Sequence, residues 1–286
     1  MDRSKLLYQR NPRPSAEERP VAGEGGAEVH GGVLGPLHLG VSATAEGVAI
    51  APKVRTVMAM LLVHADHVVP VHALMRELWG ERPPATGLRT LQTYILNCRK
   101  TFSQLTGRSP AHVAREVLVT GAGGYGLKST HIRLDWLEFQ RLKNLGTKAL
   151  EEGGSAAGIE LLDAALALWR GDALADTPEG PVLHSKRRFF EESRLDAIAI
   201  RAEAQIRAGL HQRAVTQLAA VTTEHTLHEG LHAQYVRALA LGGRRAEALG
   251  VLRTLRTRLV SEIGIEPGAS LRELQLAILS SEPGAV

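Results

Sequence analysis

Thr86, Arg89, Thr93, Asn97 and Lys100 follow one another at spacings of three and four residues, which at about 100° per residue places them on one side of a helix. Their chemistry is that of reading and holding a nucleic acid. A guanidinium can bond guanine through two hydrogen bonds and a primary amide can do the same with adenine, while hydroxyls and an ammonium hold phosphates. Thr90 lies at the edge of this face, and Gln92 and Arg99 lie on its flank, where backbone contact is the expected role. No acid interrupts the face. On the other side Leu88, Leu91, Ile95, Cys98, Phe102 and Leu105 recur at spacings of 3, 4, 3, 4 and 3, an apolar stripe that must meet a core. Any surface helix has a solvated polar face, so the elements around this one decide its meaning.

Those elements are short. Apolar pieces between residues 33 and 50, such as Leu37-His38-Leu39 and Val48-Ala49-Ile50, are candidate strands of a small antiparallel sheet. Pro52 can open a helix, and Val54, Val57, Met58, Leu61 and Leu62 keep helical spacing to about His64. A second helix fits residues 71–79, ended by Gly80 and Pro83-Pro84, and the third starts near Ala85. Val117-Leu118-Val119-Thr120, the turn Gly121-Ala122-Gly123-Gly124 and Tyr125-Gly126-Leu127 then form a hairpin. Three helices with a Pro-Pro turn before the third, followed by a hairpin, describe a winged helix-turn-helix. In that arrangement Arg89, Thr93 and Asn97 read bases. Lys53, Arg55, Thr90, Gln92, Arg99, Lys100 and the wing at Gly123, Gly124 and Tyr125 hold the backbone.

Charge supports the same segment. The net charge of +4 over 286 residues hides an uneven distribution. Residues 1–28 carry five basic and five acidic side chains, residues 29–132 ten against five, and residues 133–286 nineteen against twenty. A basic segment the size of one small domain points to a polyanion partner. Residues 1–28, rich in Pro and Gly without apolar periodicity, are expected to be a flexible tail. Aromatics are only 4% of the chain, so its cores must be built from Ala, Leu and Val, which favours close-packed helices. No apolar run is long enough to cross a membrane and none resembles a signal peptide, so the expected location is cytoplasmic, with no membrane partner. A single cysteine, Cys98, excludes an internal disulfide and a multi-cysteine zinc site.

From Leu134 onward the pattern is helical throughout. An offset of 34 pairs Ala204 with Ala238, Gly209 with Gly243, Ala214 with Ala248, Val215 with Leu249 and Leu218 with Leu252. That is the tetratricopeptide period. The expected architecture is therefore mainly α: a winged helix-turn-helix with a small β-sheet and wing over residues 29–132, then an all-α tetratricopeptide-like array over residues 133–286.

Several runs resemble the DNA-binding half of the Streptomyces antibiotic regulatory protein family. They are Val33-Leu34-Gly35-Pro36-Leu37, Pro52-Lys53-Val54-Arg55, Leu78-Trp79-Gly80-Glu81-Arg82-Pro83-Pro84, Thr90-Leu91-Gln92-Thr93-Tyr94-Ile95 and Gly123-Gly124-Tyr125-Gly126-Leu127. Arg245-Ala246-Glu247-Ala248-Leu249 and the run from Glu262 to Leu271 resemble the end of that family's bacterial transcriptional activator domain. The resemblance implies an activator that binds direct repeats in promoters of secondary-metabolite gene clusters as double-stranded DNA, two protomers side by side, and recruits RNA polymerase holoenzyme. It implies no cofactor and no enzymatic activity. Cys98 departs from the aliphatic residue usual in relatives, and Asn97 beside it bears on which base is read.

Two catalytic motifs compete and lack their context. The run from Gly121 to Gly126 satisfies G-x-G-x-x-G, but a short strand follows it where a dinucleotide site needs a helix, and Leu127 occupies the place of the phosphate-loop lysine. His228-Glu229-Gly230-Leu231-His232 matches H-E-x-x-H, yet it opens a helix of the repeat and contains a glycine. Cys98, within the apolar stripe, is expected to be a packing residue rather than a redox sensor. The alternative from another class is a tetratricopeptide-type module that binds a protein or small effector, with the basic domain as an accessory.

Overall fold

The computed structural model describes residues 29–42 and 47–280, so the tail expected over 1–28 lies outside the described residues. β1 (Val29–Gly32) pairs antiparallel with β2 (His38–Gly40) and parallel with β6 (Ile132–Leu134). α1 (Pro52–Val63) is buried almost all round, nine of its twelve residues lying in the core, so it forms the axis about which the first half packs. β3 (Val68–Pro70), α2 (Val71–Trp79) and α3 (Gly87–Thr106) follow. A single turn, α4 (Pro110–His112), and a π-helical turn over Val113–Val117 lead into β4 (Leu118–Gly121) and β5 (Gly124–Leu127). β5 sits between β3 and β4 in an antiparallel sheet. This is a winged helix-turn-helix with the wing hairpin at the expected residues.

The second half is helical: α5 (Asp135–Glu151), α6 (Ser155–Leu166), α7 (Pro181–Arg207), α8 (His211–Glu224), α9 (Glu229–Leu241), α10 (Arg245–Arg258) and α11 (Ala269–Ser280). The 34-residue period is real in three dimensions. Gly209 and Gly243 both take positive φ, 75° and 78°, at equivalent turns, and Ala204, Ala238, Ala214, Ala248, Leu218 and Leu252 are all buried where paired helices cross.

Two expectations about elements need correction, and two short strands are additions. Residues 48–50 are not a strand: only the Val48 N–H reaches the Leu39 carbonyl, at 3.0 Å, and the sheet begins earlier, at Val29. β3 and β6 have three residues each, too few for alternation to show in sequence. Residues 167–180, expected to be helical, are irregular, because their polar groups are spent on the first half of the chain. The Arg170 and Leu174 N–H groups donate to the Leu34 and Val33 carbonyls at 2.8 and 3.0 Å. Asp176 accepts from the Leu37 N–H at 2.7 Å and pairs with Arg55 at 3.1 Å.

The larger core is shared by both halves. It runs from Val29 through α1, α3 and the wing to Phe139, Leu162, Leu174, Leu183 and Phe190, and a separate cluster joins the C-terminal half of α7 to α8–α11. The scarce aromatic rings concentrate at this junction: Trp136 packs on Phe190 at 5.9 Å, Phe139 meets Trp169 edge-on at 5.7 Å, and the Arg194 guanidinium lies 4.8 Å over Trp169. Asp135, first residue of α5, accepts from the Val33 and Leu34 N–H groups at 2.9 and 3.0 Å and from Arg170 at 3.2 Å. Burial raises its carboxyl above the usual carboxylate range, against the lowering by those donors. Cutting the chain at residue 133 would expose this shared core, so binding tests belong on the full chain.

Candidate nucleic-acid interface

α3 is held by its buried side. Leu91, Ile95, Cys98 and Phe102 are buried as the stripe requires, and Leu105 is half-buried. Leu88 is the exception at 51% exposed: the first turn projects past the core, and there Gly87 makes the contact, its Cα lying against the Met75 side chain so closely that a Cβ would fall 2.6 Å from Met75 Cε. Tyr94 stacks on Trp79 of α2, ring centres 6.4 Å apart, which fixes α3 against the preceding helix. Burial pushes the Cys98 thiol up to about 12, so almost no thiolate forms at neutral pH. Cys98 is expected to stay unmodified by iodoacetamide in the native protein and to react in urea; rapid native labelling, read by mass spectrometry, would contradict the packing role.

The outward side of α3 is open and cationic. Thr86, Arg89, Gln92, Thr93 and Lys100 are exposed, and Thr90 and Asn97 are half-buried. The helix contains no acid along its 20 residues, and Arg89 and Lys100 have no ion pair or side-chain hydrogen bond among the described residues. By contrast, Arg76 at the end of α2 is already paired with Glu81 at 3.0 Å. The Thr90 and Thr93 hydroxyls donate to the Thr86 and Arg89 carbonyls, both at 3.1 Å, so each must rotate to donate to a phosphate. The start of α3 adds free N–H groups and the positive end of the helix dipole to this face.

The remaining candidates are bonded within the fold or buried in it, Gly123 apart. Arg99 Nε donates to the Leu118 carbonyl at 3.0 Å and its Nη2 to the Thr120 hydroxyl at 2.9 Å, which clamps β4 of the wing to α3. Lys53 Nζ donates to the Leu78 carbonyl at 2.7 Å, capping the C-terminal end of α2. Arg55 is tied to the other half of the chain through Asp176 and to its own half through the Ile50 carbonyl at 3.1 Å, and so is not available to a backbone phosphate. Tyr125 is 8% exposed and packs inward. Gly124 is buried too, because a Cβ there would fall inside the Val69 carbonyl across the β3–β5 pair. Gly123 alone of the three is exposed at the hairpin tip, with φ of 75°, a conformation that favours glycine.

The chain matches two family descriptions in the order these elements predict. Residues 45–119 match "Transcriptional regulatory protein, C terminal", and residues 134–279, half the chain, match "Bacterial transcriptional activator domain". The regulatory protein DnrI of Streptomyces peucetius is 43% identical over 255 residues, 88% of this chain and 92% of DnrI. The chain belongs to the Streptomyces antibiotic regulatory protein family. The transcriptional regulator RedD of Streptomyces coelicolor is 34% identical over 88% of this chain and 70% of its own length. A solved structure of Mycobacterium tuberculosis EmbR in complex with a low affinity phosphopeptide superposes with a TM-score of 0.78 at 32% identity, covering 88% of this chain and 65% of EmbR. As a member of the antibiotic regulatory protein family the chain is a DNA-binding transcription activator, built as a winged helix followed by a helical array. No helix among the described residues is long and apolar enough to cross a membrane.

The H-E-x-x-H run of this family member is occupied by folding. His228 caps α9, its Nδ1 accepting from the Leu231 N–H at 3.2 Å; Glu229 accepts from the Gly268 N–H at 2.7 Å; His232 Nδ1–H donates to the His228 carbonyl at 3.1 Å. One residue of the outward face escaped sequence reasoning. Leu96, 49% exposed, lies within about 20° of Arg89 on the helix wheel, seven residues away. The helix wheel carries that signal, whereas residue type alone assigns a leucine to the buried side.

Proposed function

We propose that the outward face of α3 reads the major groove of promoter DNA, with Arg89, Thr93 and Asn97 on base edges and Thr86, Thr90, Gln92 and Lys100 on phosphates. Gly123 brings the wing tip to the neighbouring minor groove. Arg99, Gly124 and Tyr125 position the wing, and Lys53 and Arg55 position the helices and the junction. The observation that carries this assignment is the pair of unneutralised cations, Arg89 and Lys100, on a 20-residue helix without an acid. Residues 29–132 form the DNA-binding unit and residues 133–286 the activating one, a division supported by the two family matches. Two copies bind side by side on direct repeats in promoters of secondary-metabolite gene clusters and engage RNA polymerase holoenzyme. Membership in this family, together with a relative named as a transcriptional regulator, supports that reading.

Footprinting of the full chain on genomic fragments, followed by transcription with purified polymerase, tests it. Protected direct repeats upstream of a transcript that rises with added protein are expected; protection without that rise, or no sequence preference, refutes it.

Leu96 adds a finer expectation. An exposed leucine among base readers is suited to the thymine methyl group. Replacing one thymine of the site by deoxyuridine is expected to lower wild-type affinity about fourfold, the worth of roughly 0.8 kcal/mol for one buried methyl. Leu96→Ala should lose sensitivity to that replacement. If no thymine position distinguishes the two proteins, Leu96 contacts no methyl group.

A further inference from the structure

α8, α9 and α10 enclose a groove of about 470 Å³ that neither the DNA face nor the shared core uses. Its lining includes Thr222, His232, Tyr235, Gly250, Thr254 and Arg258. Arg258 is half-buried and has no ion pair among the described residues, whereas Arg256 of α10 pairs with Glu266 and Arg244, just before α10, with Glu247, each at 2.7 Å. Glu247, the acid of the groove, is thus already neutralised through two hydrogen bonds from Arg244. His232 is 6% exposed and its Nδ1–H is spent on the His228 carbonyl, which leaves Nε2 as the ring's remaining polar atom. Burial, reinforced by the Arg258 charge, holds its pKa below the ordinary histidine value, so that Nε2 is an acceptor at neutral pH.

Two threonine hydroxyls of the groove have the same character. Thr222 donates to the Leu218 carbonyl at 2.8 Å and Thr254 to the Gly250 carbonyl at 3.1 Å, so while those bonds hold both oxygens present lone pairs to an incoming group. Gly250 stands inside α10, where glycine is the poorest helix former after proline, and no atom comes within 4 Å of where its Cβ would be. With one uncompensated cation, the His232 Nε2 acceptor and threonines that would have to give up their carbonyl bonds to donate, the groove favours a ligand with N–H donors over a phosphate or a nucleic acid. It suits a chain that brings its own N–H donors together with a carboxylate.

We propose that this groove docks an acidic peptide segment of a partner protein, a carboxylate meeting Arg258 while main-chain N–H groups donate to Thr222, Thr254 and His232 as the segment crosses Gly250. The site stands apart from the α3 reading, since it involves no residue of residues 29–132.

An array of octapeptides that vary in Asp, Glu, Ser and Lys content, probed with the fluorescently labelled full chain, tests the proposal. Peptides rich in Asp and Glu are expected to be retained over Lys-rich ones. Solution titration of the strongest acidic peptide should show at least a tenfold loss with Arg258→Glu and a similar loss with Gly250→Leu, which fills the groove. Gly250→Ala should bind within twofold of wild type and melt at a higher temperature, separating occlusion from unfolding. Circular dichroism melts check that the other two variants are folded. No acidic preference on the array, unchanged binding by folded Arg258→Glu, or displacement of the peptide by inorganic phosphate at equal concentration would each overturn it.

Discussion

Arg89→Ala is expected to weaken binding to the cognate repeat by about 1–3 kcal/mol, roughly five- to 150-fold, and to relax specificity at one base pair. Arg89 is exposed and unpaired among the described residues, so its removal leaves no buried partner behind and the whole effect falls on the complex. Lys100→Ala, about three turns further along the same face, should behave differently. It should weaken cognate and unrelated sequences alike and reduce the slope of log affinity against log salt by about one, the signature of one lost phosphate contact. Mobility-shift titrations at several salt concentrations, on the cognate repeat and on single-base variants, separate the two. If Arg89→Ala matches wild type on every sequence, α3 is not the reading helix.

The second large effect lies at the junction. Glu77 of α2 is 6% exposed and its carboxylate accepts three N–H groups from the start of α7: Gly180 at 2.7 Å, Val182 at 2.8 Å and Leu183 at 3.1 Å. Pro181 between them has no N–H to offer, so one side chain of the winged-helix half satisfies the free donors of the helix that leads the helical array. Its negative charge also faces the positive end of the α7 dipole. Glu77→Ala should cost about 3 kcal/mol or more, since each buried N–H left without an acceptor costs ~1–3 kcal/mol. At ~2–4 °C per kcal/mol for a chain of this size, the melting temperature should fall by roughly 6–12 °C. Glu77→Gln should cost less, because it keeps one acceptor oxygen. Calorimetry should also show the single transition of the wild type, expected from its shared core, separating into two in Glu77→Ala. A wild-type melting profile in Glu77→Ala would mean that the contact contributes nothing to joining the halves.

The legible parts of this protein share a physical reason. α2 and the wing hairpin stand where local signals put them: a Pro-Pro turn, a Gly-rich turn and apolar residues at helical or alternating spacing act over a few residues. Leu91, Ile95, Cys98 and Phe102 are buried because a stripe at that spacing has one side to bury. What failed depended on distant partners. Arg55 reads locally as a free cation near a DNA-binding helix, and its acid, Asp176, is 121 residues away. Arg99 reads as a phosphate contact, and its acceptors lie across the fold on β4. Leu88 belongs to the stripe by spacing, yet the helix begins before the core does.

By itself, then, the sequence determined the class of the molecule. Helix periodicity, the 34-residue repeat and the concentration of positive charge in residues 29–132 are properties of neighbouring residues and survive without knowing the fold. The tertiary structure alone decided which cations remain available. A side chain's charge is read from its type, but its freedom depends on whether an acid or a carbonyl comes within reach. Among Lys53, Arg55, Arg89, Arg99 and Lys100, folding brought partners to three and left Arg89 and Lys100 facing outward.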